Sequence, residues 1–235
     1  MSLCRFPLTV INKEEARRYA GMAGTSGEES QFPEERLLAA CQEGLLYAEG
    51  KAIWKALPYV PERSAIGADP VIVLEGRDIV AHLAGAESVV IMTATIGQSL
   101  ERAVEEHFAA GRYVQGMLLD AAGTAAVEAV ADQANRYIEE EGARRGYRAT
   151  WRFSPGYGDW PLSVQPALLA AVEAGKLPVS VTEGLMLDPQ KSVTAIIGLI
   201  PRRNGSIASD KGTGVVCQRG CAACPKKDCL ARKES

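Results

Sequence analysis

Arg152 opens a run, Arg-Phe-Ser-Pro-Gly-Tyr-Gly-Asp-Trp-Pro, in which a cation, aromatic rings and backbone-shaping residues crowd together. Glycine permits positive φ and close approach of backbone to a ligand, and proline fixes φ. A stretch holding Pro155, Gly156, Gly158 and Pro161 is therefore a shaped turn, not a helix or an inner strand. The planar fork of Arg152 suits a carboxylate. Free backbone groups and the flat faces of Trp151, Phe153, Tyr157 and Trp160 suit the rest of a small ligand that carries a ring. The same composition also fits an aromatic-capped turn with a solvated arginine.

A second group of residues could do metal or redox chemistry. Cys217, Cys221, Cys224 and Cys229 place four sulfurs in a short stretch with C-x3-C-x2-C-x4-C spacing. Such spacing suits a tetrahedral zinc or an iron–sulfur cluster, and the residues do not choose between them. Lys226, Lys227 and Arg232 would lower the thiol pKa values. The first three cysteines match the spacing of radical S-adenosylmethionine enzymes, but there a barrel follows the motif, and here the sequence ends shortly after Cys229. That reading is set aside. Cysteines clustered in this way point to a metal in a reducing compartment, not to a disulfide framework.

The elements that must position these groups can be read from periodicity and breakers. Pro33 fits the first turn of a helix whose apolar residues Leu37, Leu38, Cys41, Leu45 and Tyr47 recur until Gly50, with Cys41 a buried small hydrophobe. Strands are expected at 51–60, 71–74, 88–95, 148–153, 177–182 and 192–199. Helices are expected at 77–83, 99–108, 115–141 and 163–173, the last stopped by Gly175. Gly116 and Gly123 imply close packing of the long helix. The irregular alternation, without a G-x-G-x-x-G βαβ unit, predicts an α+β fold with a mixed or antiparallel sheet and packed helices. Three segments follow: 1–32 with a mobile loop at 21–30, a domain at 33–201, and a Cys-rich tail at 202–235.

Composition bounds the function. The chain has 235 residues, 47% hydrophobic and 23% charged, with a formal charge of −3. It is ordinary for a globular protein and shows no basic stripe for nucleic acid. No apolar run reaches membrane-span length, and residues 1–10 lack a signal-peptide core, so a cytoplasmic protein is expected. His82 and His107, the only histidines, are expected on helix surfaces, which leaves no Ser/His/Asp hydrolase.

Two motifs in register carry a resemblance. Arg152-Phe-Ser-Pro155-Gly156-Tyr157 is followed by Thr182-Glu183-x-x-Met186-x-x-Pro189-x-x-Ser192-Val193. In order and spacing this resembles the activation domain of vitamin B12-dependent methionine synthase, in the form of a short stand-alone member. The likeness covers roughly 116–198, and a helix with Glu128 precedes the motifs. It implies a module that binds S-adenosylmethionine and supports reductive methylation of cobalamin. The cobalamin would be carried by a partner methionine synthase or another corrinoid protein, and the electron would come from a flavodoxin-type donor. The implied ligand contacts are Glu128, Arg152, Ser154 through its backbone, Gly156 and Tyr157. Glu128 could hold the ligand ammonium or ribose, or sit near the sulfonium. Thr182, Glu183, Ser192 and Val193 would frame the pocket. Gly158-Asp159-Trp160 departs from the Pro-Ala-Cys usual in full-length synthases. The alternative is a binding protein that senses S-adenosylmethionine or handles corrinoids without redox turnover.

Overall fold

The structure, a computed structural model of the chain, describes residues 1–22 and 34–202. The cysteine cluster Cys217, Cys221, Cys224 and Cys229 and most of the loop expected at 21–30 lie outside the described residues. In chain order the elements are β1 (Ser2–Arg5), α1 (Lys13–Tyr19), α2 (Glu34–Tyr47), β2 (Lys51–Val60), β3 (Ala65–Ile66), β4 (Ile72–Val73) and α3 (Arg77–His82). They continue with β5 (Ser88–Thr95), α4 (Ser99–Ala109), α5 (Tyr113–Arg144), β6 (Tyr147–Ala149), α6 (Gln165–Ala171), β7 (Ser180–Val181), β8 (Leu187–Asp188) and β9 (Ser192–Pro201).

The main sheet runs β4-β3-β2-β5-β9-β6, with β1 also on β2; all of its pairings are antiparallel. The fold is thus α+β with an antiparallel sheet, as the sequence implies. Side chains alternate across the central strands. Val90, Met92 and Ala94 of β5 and Ala195 and Ile197 of β9 join a core with α1, α2, α4 and α5. Val89, Ile91 and Ile196 point the other way, into a second core with α3, α6 and Trp160. The sheet is the middle of three layers.

The long helix α5 presents small residues to its neighbours. A Cβ on Gly123 would stand 2.5 Å from Leu100 Cδ2, and one on Gly116 would stand 3.1 Å from the Phe108 ring, so both glycines let α4 lie close. Cys41 is 3% exposed on α2, as expected.

Three expectations need correction. The segment 1–32, in which only a loop at 21–30 is expected, holds β1, paired with Lys51–Trp54, and α1. Asn12 caps α1, its side chain accepting from the N–H groups of Glu14 (2.9 Å) and Glu15 (3.2 Å). The helix expected over 163–173 is a 3-10 turn followed by the shorter α6, and the chain leaves it through Glu173 at φ 54, before Gly175. The strand expected at 177–182 is reduced to Ser180–Val181, paired with Leu187–Asp188 in a small separate hairpin.

Candidate functional site

The site arises where the chain peels away from the edge of β9. Thr150 N–H donates to Gly198 O (2.8 Å), and Phe153 and Ile196 exchange both backbone bonds (3.0 and 2.9 Å). Two residues further on, Pro155 would face Thr194, but proline has no N–H to donate. Gly156 then turns the backbone at φ 88, a region that glycine enters without strain. Pairing stops there, and Ser192, Val193 and Thr194 are left lining a cleft of about 240 Å³. Its other walls are Glu128 from α5, Ser154, Pro155 and Tyr157 from the turn, Gln165 from α6, and Met186 from the β7–β8 hairpin.

The turn is braced from behind. Asp159 accepts from the N–H groups of Arg77 (2.8 Å) and Asp78 (3.0 Å), capping α3 across more than eighty residues of sequence. These bonds, that from Asp78 first, hold its carboxyl below the usual range. Trp160 is 1% exposed in the second core. Two of the three residues that depart from the resembled pattern, Asp159 and Trp160, therefore anchor the turn. At the other end of α3, His82 meets the Trp151 ring edge-on at 4.3 Å and bonds Thr150 Oγ1 at 2.9 Å. Burial pushes its pKa down to about 4, so it is neutral at pH 7. This corrects the expectation of a surface histidine. His107 is half-buried between Glu43 (2.8 Å) and Arg112 (2.8 Å).

The hairpin and β9 are fixed by polar contacts. Gln165 accepts from the Thr194 hydroxyl and donates to Leu185 O (3.2 Å). Thr182 closes the hairpin by accepting from Met186 N–H through Oγ1 (3.2 Å), and Ser192 Oγ donates to Thr95 Oγ1 (2.9 Å). Lys191 is buried, its Nζ on Asp120 (2.8 Å) and Thr124 (2.9 Å) and its N–H on Glu101 (2.7 Å), tying the start of β9 to α4 and α5. Glu101 is shifted upward by its burial.

Arg152 and Glu128 come together, joined by a residue the sequence reading missed. Arg152 Nη2 lies 2.6 Å from Asp132 Oδ1 and 3.2 Å from Glu128 Oε2, with the arginine side chain 9% exposed. Glu128 and Asp132 are i and i+4 on α5, so they share a face, and that spacing was the available signal. Tyr19 of α1 lies within reach of the Glu128 charge; its pKa is raised by burial first and by Glu128 second. Three of the turn's amides are committed internally: Gly156 N–H donates to Trp160 O (2.8 Å), Tyr157 N–H to Ser154 O (3.1 Å) and Trp160 N–H to Tyr157 O (3.0 Å). They are not the free donors the sequence suggested. Tyr157 itself is 53% exposed, its ring edge-on to Phe153.

A larger depression of about 520 Å³ lies between α6 and the β7–β8 hairpin, where Glu173, Thr182 and Glu183 sit among apolar residues. Neither Glu128 nor the turn reaches it. The charged, aromatic and hydroxyl groups converge on the smaller cleft, which is the candidate site. Among the described residues no group of three or more His, Cys, Asp or Glu could hold a metal ion. Among them, too, no helix is long and apolar enough to cross a membrane.

The chain has the fold of the MetH reactivation domain: the crystal structure of that domain bound to AdoHcy matches with a TM-score of 0.60 at 13% identity, covering 88% of this chain and 81% of that one. No family model matches the sequence, and no curated protein does.

Proposed function

We propose that the chain binds S-adenosylmethionine in the cleft between Glu128, Ser154 and Tyr157, and that it supports reductive methylation of cobalamin carried by a partner methionine synthase or other corrinoid protein. One observation carries the reading. Three residues expected to contact the ligand, from two distant parts of the chain, line one cleft in a fold shared with a reactivation domain bound to AdoHcy. AdoHcy is S-adenosylmethionine without its transferable methyl group and the sulfonium charge, so the two ligands share their adenosine and amino-acid ends.

The residues fit such a ligand. Tyr157 offers an exposed aromatic face and Glu128 brings a negative charge, while Gln165, Ser192 and Thr194, bonded within the fold, give the cleft a fixed polar wall. At about 240 Å³ the cleft lies just below the ordinary range for small-ligand sites, and it is open on one side, so part of the ligand stays accessible to a partner. When bound, S-adenosylmethionine supplies an activated methyl group, with the partner's cobalamin as acceptor. This chain's own part is to bind the ligand, hold Glu128 and the turn in place, and present the open side. The electron would come from a flavodoxin-type donor. The four cysteines Cys217, Cys221, Cys224 and Cys229 are proposed to hold one zinc or iron–sulfur centre.

The test is reconstitution. The chain is mixed with a cobalamin-loaded methionine synthase fragment lacking its own reactivation domain, a reduced flavodoxin and S-adenosylmethionine, and methylcobalamin is followed by absorbance. Methylation that depends on the chain is expected. Binding of S-adenosylmethionine without methylation would favour a sensing or corrinoid-handling role, and no binding would overturn the proposal.

A further inference from the structure

Resting on that reading of the cleft, we infer that the β7–β8 hairpin is its movable wall. Gln165 of α6 is then the positioning residue that latches this wall to β9 and so sets how long the ligand stays bound. The hairpin stands apart from the main sheet. Its strands are two residues each, Ser180–Val181 against Leu187–Asp188, and they pair only with each other. So small a two-stranded ribbon is marginal by itself in water and keeps its place through what it touches. Its root is anchored, since Leu187 belongs to the second core and Val181 packs against it. Its turn closes on itself: Thr182 N–H donates to Met186 O (2.8 Å) and Leu185 N–H to Thr182 O (2.9 Å). Leu185 sits there at φ 62, a left-handed conformation that a leucine keeps only where its surroundings hold it.

Space lies on both sides of this turn. Met186, 58% exposed, lines the cleft, and Leu185 beside it lines the larger depression of about 520 Å³. A wall with room on either side swings without displacing packed atoms, so a specific tie must fix it. Among the described residues, the one side-chain hydrogen bond that reaches the hairpin from another element runs from Gln165 Nε2 to Leu185 O (3.2 Å). The other end of the same amide, Oε1, accepts from the Thr194 hydroxyl of β9. Gln165 is 5% exposed, and a buried amide is costly to leave unpaired, so the two bonds support each other. One side chain thereby sets the distance between β9 on one side of the cleft and the hairpin on the other. With the latch released, the hairpin carries Met186 away from Thr194 and frees the ligand.

The experiment follows hydrogen exchange of the intact chain, free and with saturating S-adenosylmethionine, beside the rates at which that ligand associates and dissociates. In the free chain, Gln165→Leu should speed exchange about tenfold at Thr182, Leu185 and Met186, the amides bonded within the hairpin. Ile196, bonded to Phe153 in the body of the sheet, should stay within about threefold of wild type. Dissociation of S-adenosylmethionine should quicken about tenfold, with association within about threefold. In the wild type the ligand should slow the three hairpin amides. Thr194→Val, which frees one end of the Gln165 amide in a residue suited to a strand, should speed the same amides about threefold and serves if Gln165→Leu folds poorly. Hairpin amides that exchange alike in variant and wild type, or that the bound ligand does not slow, overturn the inference, as does an unchanged dissociation rate in Gln165→Leu. Absence of binding to the wild type contradicts the proposed function instead, and the exchange comparison on the free chain then decides the latch by itself.

Discussion

Arg152 ties the turn to α5 through two carboxylates one helical turn apart, so its loss should be felt in stability before any ligand is added. Glu128 and Asp132 keep some exposure, which moderates the cost. Arg152→Ala should destabilise the fold by about 1–3 kcal/mol, the range for losing a partner of charged hydrogen bonds, and thermal or urea unfolding would measure it. His82 sets a pH dependence. Its folded pKa is depressed from 6.5 to about 4, so the unfolded chain takes up this proton first. Its contribution is complete above about pH 6.5 and is lost as pH falls towards 4. Urea midpoints measured between pH 7 and 4 should fall, with a shallower slope in His82→Phe; an unchanged slope would show that other groups govern it. At this scale the sequence was partly readable. The resemblance pointed to Glu128, Ser154 and Tyr157, which line one cleft, and to Arg152 and Gly156, which do not. It did not reveal Asp132 or the role of Asp159, because a bond between Asp159 and the start of α3 is made by the folded chain and leaves no local pattern.

Among the elements, the strands at 51–60 and 88–95 were legible to the residue, because buried central strands are apolar runs bounded by clear breakers. The N-terminal β1 and α1 were not. A four-residue strand has too few positions to show a period, although the Asn12 cap with Glu15 three residues on is a readable helix start. The helix stop assigned to Gly175 failed for a related reason: Glu173 takes the left-handed conformation that sequence reading reserves for glycine. The seam between the N-terminal segment and the rest is tight. A Cβ on Gly50 would stand 2.2 Å from Phe6 O and 2.7 Å from Val130 Cγ2. Gly50→Ala should therefore push β1 off the sheet and cost about 1–3 kcal/mol as an overpacking change. Hydrogen exchange should show the Ser2–Arg5 amides losing protection; unaltered protection would mean the seam can yield. Asp159→Ala should likewise raise exchange at Arg77 and Asp78, the two amides it caps.

For the whole molecule, the layered architecture places the cleft at one edge of the sheet, open on one side, which suits a ligand that must also be reached by a partner. The α+β class followed from the alternation of elements, whereas the strand order did not, since antiparallel pairing of β5 with β9 joins residues about a hundred apart. Elemental analysis of protein prepared without oxygen should find one zinc, or iron with acid-labile sulfide, lost in Cys221→Ala while ligand binding persists; wild type with neither metal would remove the proposed centre. The central claim is that S-adenosylmethionine occupies the cleft beside Glu128. Calorimetric titration of the wild type and of Glu128→Lys tests it most directly. Saturable one-to-one binding to the wild type, weakened by at least a hundredfold in the charge-reversed variant, is the result expected; absence of binding to the wild type, or unchanged affinity in Glu128→Lys, would contradict it.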